Sequence, residues 1–249
     1  ELISQPSSHA WTVNGSFPRL DVLVVGDNEH TVYNKYLSDQ EEWPEWDVVG
    51  VNAGSPITTC VVEQLNKAPR LDLWGTDSGS RNITHTYWWY NDPDDIPEEG
   101  FEGSTHNTGW FYSAGSDWDA QQPLTPSKTK PAVICPVSDG SNEKYHDIIW
   151  YDVDEAKLWH SQFSDDDNWS DENGFTGDWI GDPRLDTFGD RNTWYFFGVQ
   201  ENNHMYHLSW DDGSYSQLQN MGGDIISVPA VVSVDDDILD VVALSKDGT

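Results

Sequence analysis

The sequence predicts an all-β chain of four-stranded antiparallel sheets repeated along its length, and three observations predict it. The first is a recurring phrase. Pro69-Arg70-Leu71-Asp72-Leu73-Trp74-Gly75 nearly repeats Pro18-Arg19-Leu20-Asp21-Val22-Leu23, and looser copies surround Asp147 and Asp240. The second is spacing. Thirteen residues after Asp21, Asp72 and Asp147 stand Asn34, His85 and His160, each on an aromatic-rich stretch. In a fourth copy Thr193 takes the Asp position, with His207 fourteen residues on. The third is a proline before each copy: Pro6, Pro56, Pro131, Pro183 and Pro229, separated by 50, 75, 52 and 46 residues. Short strands repeated in units of about 45–50 residues are the pattern of propeller blades.

Each unit reads in the same order. After the proline comes a strand of small and β-branched residues, such as Ile57-Thr58-Thr59-Cys60-Val61-Val62 or Ala132-Val133-Ile134-Cys135. Such side chains suit a crowded innermost strand. The Asp-bearing apolar strand is second, and the aromatic strand with His or Asn is third. The fourth is Trp-bearing, as in Trp43-Pro44-Glu45-Trp46-Asp47-Val48-Val49-Gly50. A proline is tolerated there because an outer edge needs no donor. The predicted blades span residues 4–54, 55–120, 121–181 and 182–223, with a half blade over 227–249. Half a blade leaves open strand edges. Further polypeptide, from the same chain or a second one, is therefore expected to complete the propeller.

Charge narrows the partners. Forty-four acidic residues face 12 basic ones, a formal net of −32. No basic stripe exists to release counterions, so nucleic acid is excluded as a partner. No apolar run approaches the roughly 20 residues of a membrane helix, so no membrane insertion is expected. The acids cluster in turns, as in Asp92-Pro93-Asp94-Asp95 within the long 91–107 loop and in Asp165-Asp166-Asp167. The second of these turns is dense in oxygen ligands but lacks the spacing of a helix-flanked calcium loop. Calcium is thus a candidate there, a solvated turn the plainer reading, and no other cofactor or metal is implied. Three sequons, at Asn14, Asn82 and Asn168, mark candidate glycosylation sites and with the acidity favour a secreted, extracellular protein.

Two cysteines, Cys60 and Cys135, each stand four residues after their proline. Either they are buried thiols acting as small apolar groups, or they form an inter-blade disulfide that secretion would permit.

The order Ser-x-Pro, Arg-Leu-Asp, aromatic-His, Trp-x-x-Trp and Gly resembles the repeat of the β-propeller lectins first known from Photorhabdus and of their fungal relatives. Ser4-Gln5-Pro6, Ser227-Val228-Pro229 and the shorter Ser55-Pro56 carry the first word. The resemblance covers most of the chain, with insertions in the second and third copies and the Asp missing from the fourth. It implies a propeller of seven blades when complete, and glycan binding without catalysis. It also implies fucose-like or O-methylated sugar ligands, to which composition adds only that a polyanion is disfavoured. Related propellers include polysaccharide lyases, which is the alternative function.

The residues themselves carry two meanings. The recurring Asp is expected to fix each blade to its neighbour by accepting backbone N–H bonds from an adjacent turn. A general-acid or metal role is the sharper alternative. The histidines His85, His160 and His207 either bond to a neighbouring blade or bind sugar hydroxyls at inter-blade clefts; a lyase would use one as a base. Nothing singles out one histidine, and binding sites repeat with blades more readily than catalytic ones. The expected sugar-binding set is therefore His85, His160 and His207 with Trp46, Trp88 and Trp179, and no catalytic residue is assigned. Adjacent Trp88 and Trp89 point to opposite faces of their strand, so at most one faces a given cleft.

Overall fold

The computed structural model describes residues 6–13, 17–26, 30–38, 45–62, 70–79, 81–90, 108–112, 129–135, 145–152, 154–164, 170, 173–187, 193–211, 213–235 and 238–248. Among these residues there is no helix, only strands, turns and irregular segments. The 91–107 loop, Asn14, Asn168 and most of the Asp165–Gly174 turn lie outside the described residues. Two compact units divide the chain. One comprises residues 1–126, 135–144 and 165–167, the other 127–134, 145–164 and 168–249.

The first unit holds two antiparallel sheets, each a four-strand meander. Strands β1 (Ser7–Val13), β2 (Phe17–Val25), β3 (Thr31–Ser38) and β4 (Asp47–Asn52) form one in sequence order. Strands β5 (Thr58–Val62), β6 (Arg70–Thr76), β7 (Ile83–Tyr90) and β8 (Thr108–Tyr112) form the other. The first strands β1 and β5 adjoin, and Ser7 Oγ lies 3.2 Å from Thr59 Oγ1. Between the sheets is an apolar core of Leu23, Val25, Val32, Val49, Ala53, Ile57, Leu71 and Leu73. Every residue of β6 is buried. Leu71 and Leu73 face that core, while Arg70, Asp72 and Trp74 occupy the opposite face as the pleat requires. A strand buried on both faces shows no simple polar–apolar alternation. Here its second face is polar and closed by hydrogen bonds.

The repeated Ser–Pro word has a structural role. Ser55 Oγ accepts the backbone N–H of Thr76 at 3.2 Å, at the end of the second strand. Ser227 Oγ does the same for Leu244 at 2.9 Å. Each partner lies four residues after the recurrent Asp, so the word closes the hairpin between first and second strands. Gly54 precedes Ser55 where the chain passes between sheets. A Cβ there would meet the backbone oxygen of Asp77 at 2.8 Å, a close approach that only glycine allows.

The second unit repeats the plan. Strands β9 (Ala132–Ile134), β10 (Tyr145–Asp152), β11 (Lys157–Ser164) and β12 (Asn173–Thr176) make the third sheet. Strands β13 (Trp179–Thr187), β14 (Thr193–Gln200), β15 (Met205–Asp211) and β16 (Ser214–Tyr215) make the fourth, in which β17 (Gln219–Gly222) also pairs with β15. A final pair, β18 (Ala230–Asp235) and β19 (Ile238–Val242), makes the predicted half blade. Its Val232, Ile238 and Val242 are exposed. Strand β13 adjoins both β9 and β18, so the first strands again lie side by side. The core of this unit gathers Ile134, Ile149, Tyr151, Leu158, Trp179, Trp194, Phe196 and Leu208.

Three expectations need correction. The fourth sheet begins at Trp179, ahead of the expected Asp182, because Pro183 lies within β13 and not before it. The register shifts there between Ile180 and Arg184, an irregularity that accommodates a residue without an N–H. The fourth copy's equivalent of the Asp is Tyr195, not Thr193. Leu23, Trp74 and Ile149, two residues past each Asp, pair with Asn34, His85 and His160. In the fourth sheet Phe197 pairs with His207, which puts Tyr195 at the Asp position. Finally, the cysteines are not thiols. Cys60 and Cys135 form a disulfide, with Cα atoms 5.7 Å apart. They are offset by one position, since Cys60 stands opposite Asp72 whereas Ile134 stands opposite Asp147.

Candidate functional site

The recurring polar positions form buried pins inside single sheets. In the first, Arg19 Nε and Nη2 donate to the two oxygens of Asp21, each at 2.8 Å. Asn34 Nδ2 adds a bond at 3.1 Å, and the guanidinium lies 4.1 Å from the centre of the Tyr36 ring. In the second, Arg70 grips Asp72 at 2.6 and 2.8 Å while His85 Nε2 donates to it at 2.9 Å. Both carboxylates are fully buried. Two-pronged arginine pairing supplies the charge-assisted bonds such burial demands. Each of these two carboxylates is thus held by arginine and by asparagine or histidine side chains of its own sheet. Acids in turns accept backbone groups: Asp77 Oδ1 accepts the N–H of Gly79 at 3.0 Å, and Asp152 Oδ1 that of Asp154 at 2.8 Å. These are Asx turns.

The third sheet departs from this pattern, at the inter-blade position where a sugar cleft was expected. Tyr145 stands where the arginine would be, so Asp147 is held instead by His160 Nε2 at 2.9 Å and Gln162 Nε2 at 3.0 Å. The other ring nitrogen of His160, Nδ1, is bonded to the Tyr215 hydroxyl on β16 of the fourth sheet. A carboxylate–imidazole–phenol chain therefore crosses from one blade to the next. Burial and the charge of Asp147 push the Tyr215 hydroxyl well above the ordinary tyrosine range, while a bond from Asn173 pulls the other way. Around this chain stand aromatic rings. Phe175 meets Tyr215 edge-on at 4.9 Å, and Trp210 stacks on the buried Trp194 at 5.9 Å. Trp194 also lies 4.9 Å from His160. Phe175, Trp210, Tyr215 and Gln162 are half-buried and Asn173 is exposed. This seam between blades thus combines a paired polar chain, half-buried aromatic rings and two amides that bond members of the chain.

The expected sugar-binding residues are not gathered in one place. His85 is buried with 8% exposure, stacked on Trp74 at 4.1 Å and bonded to Asp72. His160 is buried at the seam with both nitrogens engaged. His207 stacks between Tyr195 at 5.6 Å and Phe197 at 4.9 Å; its Nε2 is buried without a partner. Burial pushes the His207 imidazole below the ordinary histidine range. Trp179 is a core residue, edge-on to Phe196 at 5.2 Å, and so offers no open face. Trp46 alone of the described set is exposed, with Lys35 Nζ 5.5 Å from its ring centre. The Trp88 side chain lies outside the described residues, and its backbone pairs with Trp110. Among His160, His207 and Trp179 no hydrogen bond or ring contact joins any two.

Sequence reasoning missed Tyr215, Asn173, Phe175 and Trp210 as seam residues. One signal was available for two of them. Asp212-Gly213 between aromatic residues marks a two-residue hairpin, and it pairs Trp210 directly with Tyr215. Gly213 has φ of 82°, as such a turn requires.

No family model matches the chain, and no curated protein sequence matches it significantly. Solved structures do. The BP39L lectin of Burkholderia pseudomallei superposes with a TM-score of 0.69 at 14% identity, over 98% of this chain and 64% of that one. AofleA of Arthrobotrys oligospora gives 0.65 at 12% identity, over 99% and 67%. The Aleuria aurantia lectin, a six-bladed β-propeller with a fucose recognition mode, gives 0.61 at 10% identity, over 98% and 72%. The chain therefore has the β-propeller fold, and it spans 64% of the length of the first of these structures.

Proposed function

We propose that this protein is a carbohydrate-binding propeller that takes neutral sugars at the cleft between its third and fourth blades. The observation that carries the reading is the cluster of half-buried rings at that seam. Half-buried rings of Phe175, Trp210 and Tyr215 offer apolar faces, beside the Asn173 and Gln162 amides that bond Tyr215 and Asp147 and a histidine with both nitrogens paired. Apolar walls with a few placed polar groups are what a small neutral ligand needs. The formal charge of −32 disfavours a polyanion. The lectins of like fold support the same reading. Fucose-like or O-methylated sugars are the proposed ligands, since their methyl groups would meet the aromatic walls.

Binding without catalysis fits the paired chain. His160 has no free nitrogen for a base, and a Tyr215 hydroxyl whose proton is held more tightly than usual is a poor one. The Cys60–Cys135 disulfide supports an oxidising, extracellular setting. An array of neutral and acidic glycans tests the proposal. Neutral glycans should bind, and Trp210→Ala should abolish the signal. Failure of every neutral glycan, or new unsaturated ends formed from a uronic-acid polysaccharide, would refute it.

A further inference from the structure

A second polar–aromatic cluster lies on the fourth blade, where the β14–β15 turn meets β17, and the cleft makes no use of it. Four side chains form it. Asn220 Nδ2 donates to His204 Nδ1 at 3.0 Å and to the Tyr206 hydroxyl at 3.2 Å. Asn202 Nδ2 donates to the same hydroxyl at 2.8 Å. Backbone groups fix both amides the right way round: Asn202 Oδ1 accepts the N–H of His204 at 2.9 Å, and Asn220 Oδ1 that of Gly222 at 2.7 Å. The Tyr206 ring is braced by Trp179, 5.9 Å away. Asn202 and Asn220 are exposed, His204 and Tyr206 half-buried.

The hydrogen-bond arithmetic leaves two donors unspent. A phenol oxygen that accepts two N–H bonds must direct its own proton elsewhere. An imidazole that accepts at Nδ1 carries its proton on Nε2. Neither the Tyr206 O–H nor the His204 Nε2–H has an acceptor within the cluster. The site is neutral, is fixed by the backbone beneath it, and presents donors beside a ring. Its partner must bring acceptor oxygens, and long-range repulsion by the acidic chain disfavours oxygens that carry charge.

We infer that Asn202, His204, Tyr206 and Asn220 form a second binding site for a neutral sugar, in which Tyr206 and His204 donate to sugar hydroxyl oxygens. The inference rests on the glycan-binding reading above, and it places a site within one blade where the cleft lies between two.

Imidazole nitrogen NMR of the whole chain, labelled on histidine and tryptophan, tests it. His204 should show the Nε2–H tautomer. Methyl glycosides of fucose, galactose, mannose, glucose and N-acetylglucosamine are titrated in turn. With at least one, the His204 signals should move saturably, and Tyr206→Phe should weaken that response about tenfold, the loss of one donor. Asn202→Ala, at an exposed position, should also weaken it, with the strand content by circular dichroism unchanged. Movement of Trp210 with His204 still would overturn this site and leave the cleft standing, as would full affinity in Tyr206→Phe. Movement of neither would sink both.

Discussion

The second and fourth blades hold different chemistry at one and the same register position. In the second, Asp72 sits between Arg70 and His85 as a buried ionic pin. In the fourth, Tyr195 takes its place, and His207 is stacked between Tyr195 and Phe197, with no carboxylate bonded to it among the described residues. Both solutions fill the same gap between strands. The ionic pin leaves a charge that must stay paired; the ring stack leaves one nitrogen unpaired but nothing charged. A recurring residue thus marks a place that needs filling, and the filling is free to change between blades. The third blade lies between these cases: its aspartate survives, its arginine is gone, and the histidine that holds the aspartate also bonds Tyr215 of the next blade. The candidate site appears where the repeat is broken.

This contrast predicts a ranking of effects. Asp72→Ala should cost most, about 3–5 kcal/mol, because it strands the buried Arg70 charge. Denaturant melting measures it, and the paired change Arg70→Met with Asp72→Leu should recover most of the loss. If the double change is as damaging as the single one, the pin does more than balance its own charge. Next comes the disulfide, which closes a 75-residue separation. Replacing both cysteines by serine should cost about 2–4 kcal/mol, read by the same melting experiment. A smaller effect is expected at Tyr215→Phe, which removes the hydroxyl bonded to His160 and Asn173 across the blades and should cost about 1–2 kcal/mol. A loss several times larger would mean that the chain from Asp147 to Tyr215 holds the blades together.

The smallest effect separates the blades by pH. Burial keeps the His207 ring neutral in the fold below the pH at which an unfolded histidine, near about 6.5, takes up its proton. In that window the unfolded chain binds the extra proton, so stability falls as pH drops from about 6.5 towards the lowered folded value. The effect is modest for a half-buried group. His207→Phe should flatten the stability profile over that window, measured by melting at each pH. An unchanged slope would place the source at another histidine, His9 being the next candidate, since burial lowers it too.

Much of the fold was legible in the sequence because each strand word recurs at fixed spacing. The pairing of Asp with His or Asn thirteen residues on follows from a hairpin of constant length. Where that length changed, the reading slipped: the fourth hairpin is one residue shorter, so Thr193 stood in for Tyr195. Pro183 misled in the same way, since a bulge let it enter a strand. The site was less legible for a different reason. Repetition drew attention to His85, His160 and His207, which are common because they are internal. Tyr215 and Phe175 occur once and belong to short outer strands, and their partners come from another blade. Nothing local in sequence announces that Tyr215 meets His160, 55 residues away.

On the proposed function the ligand face is the half-buried aromatic seam between the third and fourth blades and not the buried pins. Fluorine NMR of the chain with its 14 tryptophans replaced by 5-fluorotryptophan tests it most directly. Single Trp→Phe variants assign the signals, and methyl α-L-fucoside and the other methyl glycosides are titrated. A saturable shift of the Trp210 signal is expected, with Trp74 and Trp150, both fully buried, unmoved. A response at Trp74, beside His85, without one at Trp210 would contradict it, as would silence at Trp210 for every neutral sugar.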